Sequence, residues 1–184
     1  VVAISADSFS TRTRLTTSSG TVIGNNGAAT RELDEPFHAE KPGGRSLWYS
    51  WIAPSNGIVA FSTRGSAFDT LLAVYTNLTV SGTNVIDADD DQGGFLTSAV
   101  SFNVHAGQEY QIAVDGYASG NGRVVLGWNF VPTPDAMPRI VRQPISISVN
   151  EGMPAMLSVQ ASGPTLAYQW KRNGRRIPDA NNAV

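Results

Sequence analysis

Period-two alternation of apolar and polar residues constrains this chain more than any other feature. Val59, Phe61 and Thr63 alternate with Ile58, Ala60 and Ser62, and Val100, Phe102 and Val104 with Ala99, Ser101 and Asn103. Tyr110, Ile112 and Val114 alternate with Gln111, Ala113 and Asp115, and Val124, Leu126, Trp128 and Phe130 with Val125, Gly127 and Asn129. Successive side chains of a strand point to opposite faces, so such segments read as half-buried strands of antiparallel sheets. Residues 46–53 and Thr70–Tyr75 are apolar on both faces, as central strands are. No segment keeps a 3.6-residue period between caps, so little helix is expected. Turn signals punctuate the strands at Lys41-Pro42-Gly43-Gly44, Pro54-Ser55-Asn56-Gly57, Asp91-Gln92-Gly93-Gly94, His105-Ala106-Gly107 and Ala118-Ser119-Gly120-Asn121-Gly122. Turns spaced by roughly ten residues predict an all-β fold, a jelly-roll-like antiparallel β-sandwich.

The alternation breaks at residues 131–138, where Pro132, Pro134 and Pro138 fall together. Proline fixes φ and donates no hydrogen bond, so residues 133–138 read as a short, stiff linker. It separates a first domain, residues 1–132, from a second segment, residues 139–184. Residues 144–152 read as a strand closed by a turn, 157–161 as a second strand, and 168–174 as a third that carries Trp170. The run Tyr168-Gln169-Trp170-Lys171-Arg172-Asn173-Gly174 resembles the start of bacterial immunoglobulin-like domains, which bury a tryptophan at this place against the opposite sheet. The resemblance implies a partial immunoglobulin-like sandwich, its remaining strands lying outside these residues. Leu157 or Val159 stands where such domains usually carry the first cysteine.

Charge and cysteine content exclude several classes of function. Thirteen Lys and Arg against fifteen Asp and Glu give a net charge of −2, which offers nothing to nucleic acid or an anionic membrane. With no cysteine, disulfides and thiolate metal sites are absent. No apolar run approaches 18 residues, so membrane insertion is not expected. Val1-Val2-Ala3-Ile4 is too short for the core of a signal peptide, and the first residue is not Met, so the start reads as a processed or cut end.

The first domain resembles a bacterial extracellular β-sandwich of the pre-peptidase C-terminal type. The resemblance is carried by Gly27-Ala28-Ala29-Thr30-Arg31-Glu32, Glu35-Pro36-Phe37-His38-Ala39 and Ser46-Leu47-Trp48-Tyr49-Ser50-Trp51-Ile52-Ala53-Pro54. Gly65-Ser66-Ala67-Phe68-Asp69-Thr70-Leu71-Leu72-Ala73-Val74-Tyr75-Thr76, then Asp89-Asp90, Ser98-Ala99-Val100 and Ala113-Val114-Asp115-Gly116, complete it over residues 7–130. Two departures fall around Glu35. Leu33-Asp34 stands where the family usually has a glycine ahead of Glu-Pro, and Ala39-Glu40 where it favours Ala-Gly. Both bear on the turn geometry there. The two resemblances together imply a secreted, non-catalytic adhesive or spacer module, in some cases accompanying enzymes.

The strongest local signal for chemistry is the acidic run Asp87, Asp89, Asp90, Asp91. Adjacent carboxylates repel, and a hard cation such as Ca²⁺ relieves the repulsion by taking six to eight oxygens. The spacing lacks the glycine and terminal glutamate of an EF-hand loop, so further ligands must come from elsewhere; Glu35, Asp69 and Asp7 are candidates because each lies beside a matched motif. The family resemblance adds that proteins of this wider group can bind calcium. The plain alternative is a solvated turn that also blocks edge-to-edge pairing. Asp69 and Asp115 each have a plain reading as turn carboxylates.

His38 and His105 share no metal-ligand spacing, and no Gly-x-Ser-x-Gly elbow is present, so no enzyme is expected; His38 reads as a packed, hydrogen-bonded turn residue. Trp48 and Trp51, three apart, point to opposite faces of one strand, so at least one belongs to the core. Tyr75 and Tyr117, near loop ends, are weaker candidates for a carbohydrate platform. Asn77-Leu78-Thr79 matches a glycosylation sequon that reads as incidental in a bacterial protein. Lys171, Arg172, Arg175 and Arg176 flank Asn173-Gly174, a strong hairpin signal, and read as its solvating charges.

The sequence therefore points to an extracellular or cell-surface module of a larger multidomain bacterial protein, for adhesion, binding and structural spacing. Its expected partners are other protein modules, copies of itself, or extracellular polysaccharide. A filament subunit completed by strand exchange and a carbohydrate-binding accessory module of a secreted hydrolase stand as alternatives.

Overall fold

The structure, a computed structural model, describes residues 6–76, 78–81, 84–133, 139–163, 166–172, 175–178 and 180–183. The chain divides into two compact units, residues 1–133 and 134–184. Among the described residues, helix is limited to 3₁₀ turns at Phe9–Thr11, His38–Glu40 and Tyr117–Ser119.

In the first unit β1 (Thr13–Leu15), β3 (Leu47–Ile52), β5 (Thr70–Tyr75), β6 (Val85–Asp89) and β8 (Glu109–Gly116) form a five-stranded sheet in the order β1-β3-β8-β5-β6. Strands β2 (Ser19–Asn25), β4 (Gly57–Ser62), β7 (Ala99–Val104) and β9 (Arg123–Pro132) form a four-stranded sheet in the order β2-β9-β4-β7. Pairing is antiparallel except for β1, which lies parallel to β3. Leaving β1 aside, each connection from β2 to β9 crosses between the sheets except the β5–β6 hairpin, as in a double Greek key, which makes this unit a jelly-roll β-sandwich.

The alternation read from the sequence builds the core. Leu47, Tyr49 and Trp51 of β3, Leu72 and Val74 of β5, and Tyr110, Ile112 and Val114 of β8 meet Val59, Phe61, Val100, Val104, Val124, Leu126 and Phe130 of the other sheet. Each such side chain contributes about 1.5–3 kcal/mol on full burial. Strands β3, β5 and β8 are buried on their other face too, because the chain before β1 and the loop before β3 fold over it. There Phe9, Trp48, Ala73, Tyr75 and Ala113 form a second apolar cluster. The small residues Ala113 and Ala73 lie in register with Trp48 across β8 and β5, leaving room for the indole.

In the second unit β10 (Arg139–Arg142) pairs antiparallel with β11 (Gln160–Ser162), and β12 (Lys171–Arg172) with β13 (Arg175–Arg176). The hairpin expected around Asn173-Gly174 is present as that second pair; the two turn residues themselves lie outside the described ones, as does the linker from 134 to 138. The strand expected over 144–152 is not formed. Ile145, Ile147 and Val149 are exposed, and only the turn closed by Met153 N–H donating to the Asn150 carbonyl at 3.0 Å is as expected. A strand persists only in a ladder, and no described segment offers this one a partner. The strand expected over 157–161 is confined to Gln160–Ser162. Trp170 is half-buried and donates Nε1–H to the Asn182 carbonyl at 2.8 Å, packing on the following turn rather than under an opposite sheet.

A candidate cation site and the buried network behind it

Thr70 at the start of β5 pairs with Gly116 at the end of β8, and Leu72 with Asp89 at the end of β6. These ends, and the loops 26–46, 63–69, 90–98 and 117–122 that join them, therefore lie at one end of the sandwich. Backbone hydrogen bonds stitch the loops together: Thr70 N–H donates to Leu96 O at 3.0 Å, Tyr117 N–H to Asp69 O at 3.0 Å, and Ala118 N–H to Pro42 O at 2.7 Å. Asp115 accepts from the amides of Gly44, Arg45 and Gly116 at 2.7–2.8 Å, the turn-carboxylate role expected for it. Gly43 lies so close that a Cβ there would come within 1.8 Å of the Asp115 carboxylate, so only glycine fits.

Three carboxylates converge inside this ring of loops. Asp69, Asp90 and Asp91 place one oxygen each within 4.8 Å of one another. Asp69 Oδ1 is buried and has no hydrogen-bond partner, an orphaned acceptor on one of the three carboxylates. Loss of water around Asp69, then the charges of Asp90 and Asp91, push its carboxyl above the ordinary range, with Lys41 opposing. Lys41 Nζ lies 3.4 Å from Asp90 Oδ2. An orphaned acceptor among three hard oxygen donors fits a hard divalent cation, with backbone carbonyls or water completing six to eight ligands.

The other four residues expected around a metal do not join them. Asp7 accepts from Thr30 N–H at 2.7 Å and orders the loop before β3. Asp87, on edge strand β6, accepts from its neighbour's amide, Ala88 N–H, at 3.1 Å. Asp89 is buried and its Oδ2 accepts from Gln92 N–H and Ala99 N–H, both at 2.8 Å, tying the turn after β6 to the start of β7. Asp87 and Asp89 thus belong to a strand rather than a turn, and their carboxylates are spent on backbone amides of their own and neighbouring segments.

Glu35 belongs to a different constellation. Its Oε1 lies 2.9 Å from His38 Nε2 and 3.1 Å from Trp48 Nε1, while its Oε2 accepts from Glu32 N–H at 2.7 Å. His38 Nδ1 lies 2.7 Å from the Tyr75 hydroxyl. Burial alone would raise the Glu35 carboxyl; hydrogen bonds from His38, Ser46 and Glu32 outweigh it and hold it below the usual carboxylate range. His38 is therefore the packed, hydrogen-bonded turn residue expected. Burial, then the charges of Glu35 and Asp115, push the Tyr75 phenol well above its usual range.

The two departures from the family pattern carry left-handed backbone. Asp34 has φ 64° and Glu40 φ 59°, with Ala39 at φ 51° beside it. The chain keeps the glycine-like turn without the glycine, at a cost of about 1–2 kcal/mol for each non-glycine residue. Phe95 and Leu96, at φ 52° and 60°, repeat this in the loop beside Asp69 and Asp91, and Phe95 is 96% exposed.

Of the aromatic platform candidates, Tyr75 is corrected: it is 1% exposed, so no sugar can stack on it. Tyr117 is exposed, in the same ring of loops as Asp69. Trp48 and Trp51 do take opposite faces of β3, but both are buried, because both faces of that sheet are covered.

No family model matches the chain, and no curated protein matches it. Among solved structures, the pre-peptidase C-terminal domain of a collagenase from Bacillus anthracis aligns with 64% of this chain and 94% of its own length, at 14% identity and a TM-score of 0.45. PliG of Aeromonas hydrophila, a periplasmic inhibitor of g-type lysozyme, aligns with 65% of this chain and 96% of its own length, at 16% identity and a TM-score of 0.43. Neither likeness carries identity or function across. Among the described residues no helix is long and apolar enough to cross a membrane.

Proposed function

We propose that this chain is a non-catalytic extracellular or cell-surface module, serving adhesion, binding and structural spacing within a larger multidomain bacterial protein, and that its acidic loop end takes Ca²⁺. The observation that supports it most is the convergence of Asp69, Asp90 and Asp91, with Asp69 Oδ1 buried and unpartnered, on loops stitched together by backbone hydrogen bonds. A cation there would relieve the repulsion and lock four loops into one rigid surface. The polar interior argues for scaffold rather than catalyst: both nitrogens of His38 are committed inside the fold, and His105, after β7, lies at the opposite end of the sandwich. The second unit is read as the opening strands of an immunoglobulin-like spacer, supported by its two antiparallel pairs. The exposed, unpaired alternation of Ile145, Ile147 and Val149 favours strand exchange between copies as a second reading, because such a row accepts a partner strand readily.

The test is calorimetric titration of Ca²⁺ into the metal-stripped chain and into Asp69→Asn. Saturable heat in the first and none in the second supports the cation site. Equal behaviour of both removes it. Light scattering over a concentration series separates a spacer, which stays monomeric, from the strand-exchange reading, which requires assembly.

A further inference from the structure

A cleft of about 620 Å³ opens between the segment before β3 and edge strand β6, lined by Pro36, Phe37, Ala39 and Glu40 on one wall and by Val85, Ala88 and Asp90 on the other. Both walls are fixed. His38, between Phe37 and Ala39, is anchored beneath by Glu35 and Tyr75, and β6 is held by its ladder to β5. Most of the cleft's lining side chains are apolar, and its charged ones are acidic.

We infer that this cleft receives an arginine side chain presented by a partner protein. The inference rests on the reading of the chain as a binding module and names the chemistry its partner must offer. An arginine combines an apolar stem with a planar cation, matching Ala39, Val85 and Ala88 along the stem and the carboxylates of Glu40 and Asp90 at the head. Phe37, 54% exposed, adds an aromatic ring to the same wall, one face of it covered by the chain's own Arg31 guanidinium 4.2 Å from the ring centroid. Charge complementarity decides the sign. Glu40, Asp90 and the adjacent Asp69 and Asp91 outnumber the cations beside the cleft among the described residues, Lys41 on Asp90 and Arg31 on Phe37. The Lys41–Asp90 pair is half-exposed at 3.4 Å, the kind of contact an incoming guanidinium displaces readily. Walls fixed beforehand lower the ordering cost of binding. Asp90 belongs both to this cleft and to the carboxylate trio, so cation occupancy of the trio weakens arginine binding.

The experiment is a ¹H–¹⁵N titration of the full chain with the capped peptide acetyl-Ala-Leu-Arg-Leu-Ala-amide. Its isosteric control carries citrulline in place of arginine. The expected result is saturable shifts at Phe37, Ala39, Val85 and Ala88, at about 1–10 mM for one side chain, several-fold weaker with citrulline. Glu40→Gln should weaken binding about tenfold, and Lys41→Ala should leave it equal or tighter, since that change removes a competitor. Equal shifts with the two peptides, or none, overturn the proposal. So would saturation of these amides by a soluble oligosaccharide with no response to the arginine peptide. Repeating the titration in saturating Ca²⁺ separates the two readings. If arginine binds and Ca²⁺ changes nothing, the cation site fails and the cleft stands. If Ca²⁺ shifts the trio and arginine does not bind, the cleft fails and the cation site stands.

Discussion

His38 Nδ1 lies 2.7 Å from the Tyr75 hydroxyl with both residues 1% exposed, so a loop residue and a strand residue satisfy each other where water cannot. Through His38 Nε2 the chain continues to Glu35, and from Glu35 to Trp48, which pins the loop before β3 to the outer face of the five-stranded sheet. Tyr75→Phe leaves His38 Nδ1 buried and unpaired. The expected loss is about 1–3 kcal/mol, read from urea denaturation midpoints at an unchanged m-value.

Tyr49 supplies the opposite case. Its hydroxyl is buried in the sandwich core with no partner, and burial pushes its phenol up to about 12. Tyr49→Phe removes an unsatisfied group without opening a cavity. It is expected to leave stability unchanged or raise it by up to about 1 kcal/mol, in the same denaturation assay that shows Tyr75→Phe to be destabilising. A loss of more than 1 kcal/mol would mean the hydroxyl has a partner.

Acid and alkali should both unfold the first unit, through different groups. Glu35 is held below its ordinary value of 4.5, so its contribution is present above that pH and is lost as pH falls through its folded value. Tyr49 and Tyr75 are raised, so their contribution is complete below pH 10, the unfolded value, and declines above it as only the unfolded chain ionises. Melting temperature across pH should therefore fall at both ends. Glu35→Gln should flatten the acid limb alone; an acid limb identical to wild type would show that Glu35 does not drive it.

The left-handed turns offer a gain. Glu40→Gly replaces a residue at φ 59° by one that adopts this backbone without a Cβ clash. Stability should rise by about 1 kcal/mol by thermal melting. Because the same change removes the Glu40 carboxylate, a stabilised chain that no longer takes the arginine peptide would separate the residue's two effects. A decrease in stability would show that the carboxylate matters more to the fold than the turn does.

The strands were legible where one face is apolar. Alternation in Val59–Phe61, Val100–Val104 and Val124–Phe130 corresponds to β4, β7 and β9, and the doubly apolar segments to β3 and β5. Strand β8 reads as half-buried from its alternation, yet Gln111, Ala113 and Asp115 are buried as well, because covering loops are non-local and leave no periodic mark. Strand β2 carries no apolar alternation through Ser19-Gly20-Thr21 to mark it; its pairing with β9 overrides propensity. The acidic run disguised β6 in the same way. For the site, the acidic run and the matched motifs gave seven candidate ligands, but backbone amides take up the Asp87 and Asp89 carboxylates, and topology rather than spacing selects Asp69, Asp90 and Asp91.

The cation reading is decided most directly by melting the metal-stripped chain with and without Ca²⁺, beside Asp69→Asn. The Asp69 carboxyl is raised in the metal-free fold, so its contribution is complete below 3.8, the ordinary value, and is lost as pH rises through its folded value. At neutral pH, Asp69→Asn should therefore melt slightly higher than wild type without metal. Ca²⁺ at a hundredfold excess over its dissociation constant should stabilise wild type by about 2.7 kcal/mol and Asp69→Asn by far less. Identical melting curves for wild type with Ca²⁺ and with EDTA would contradict the cation site and leave the three carboxylates as a solvated loop.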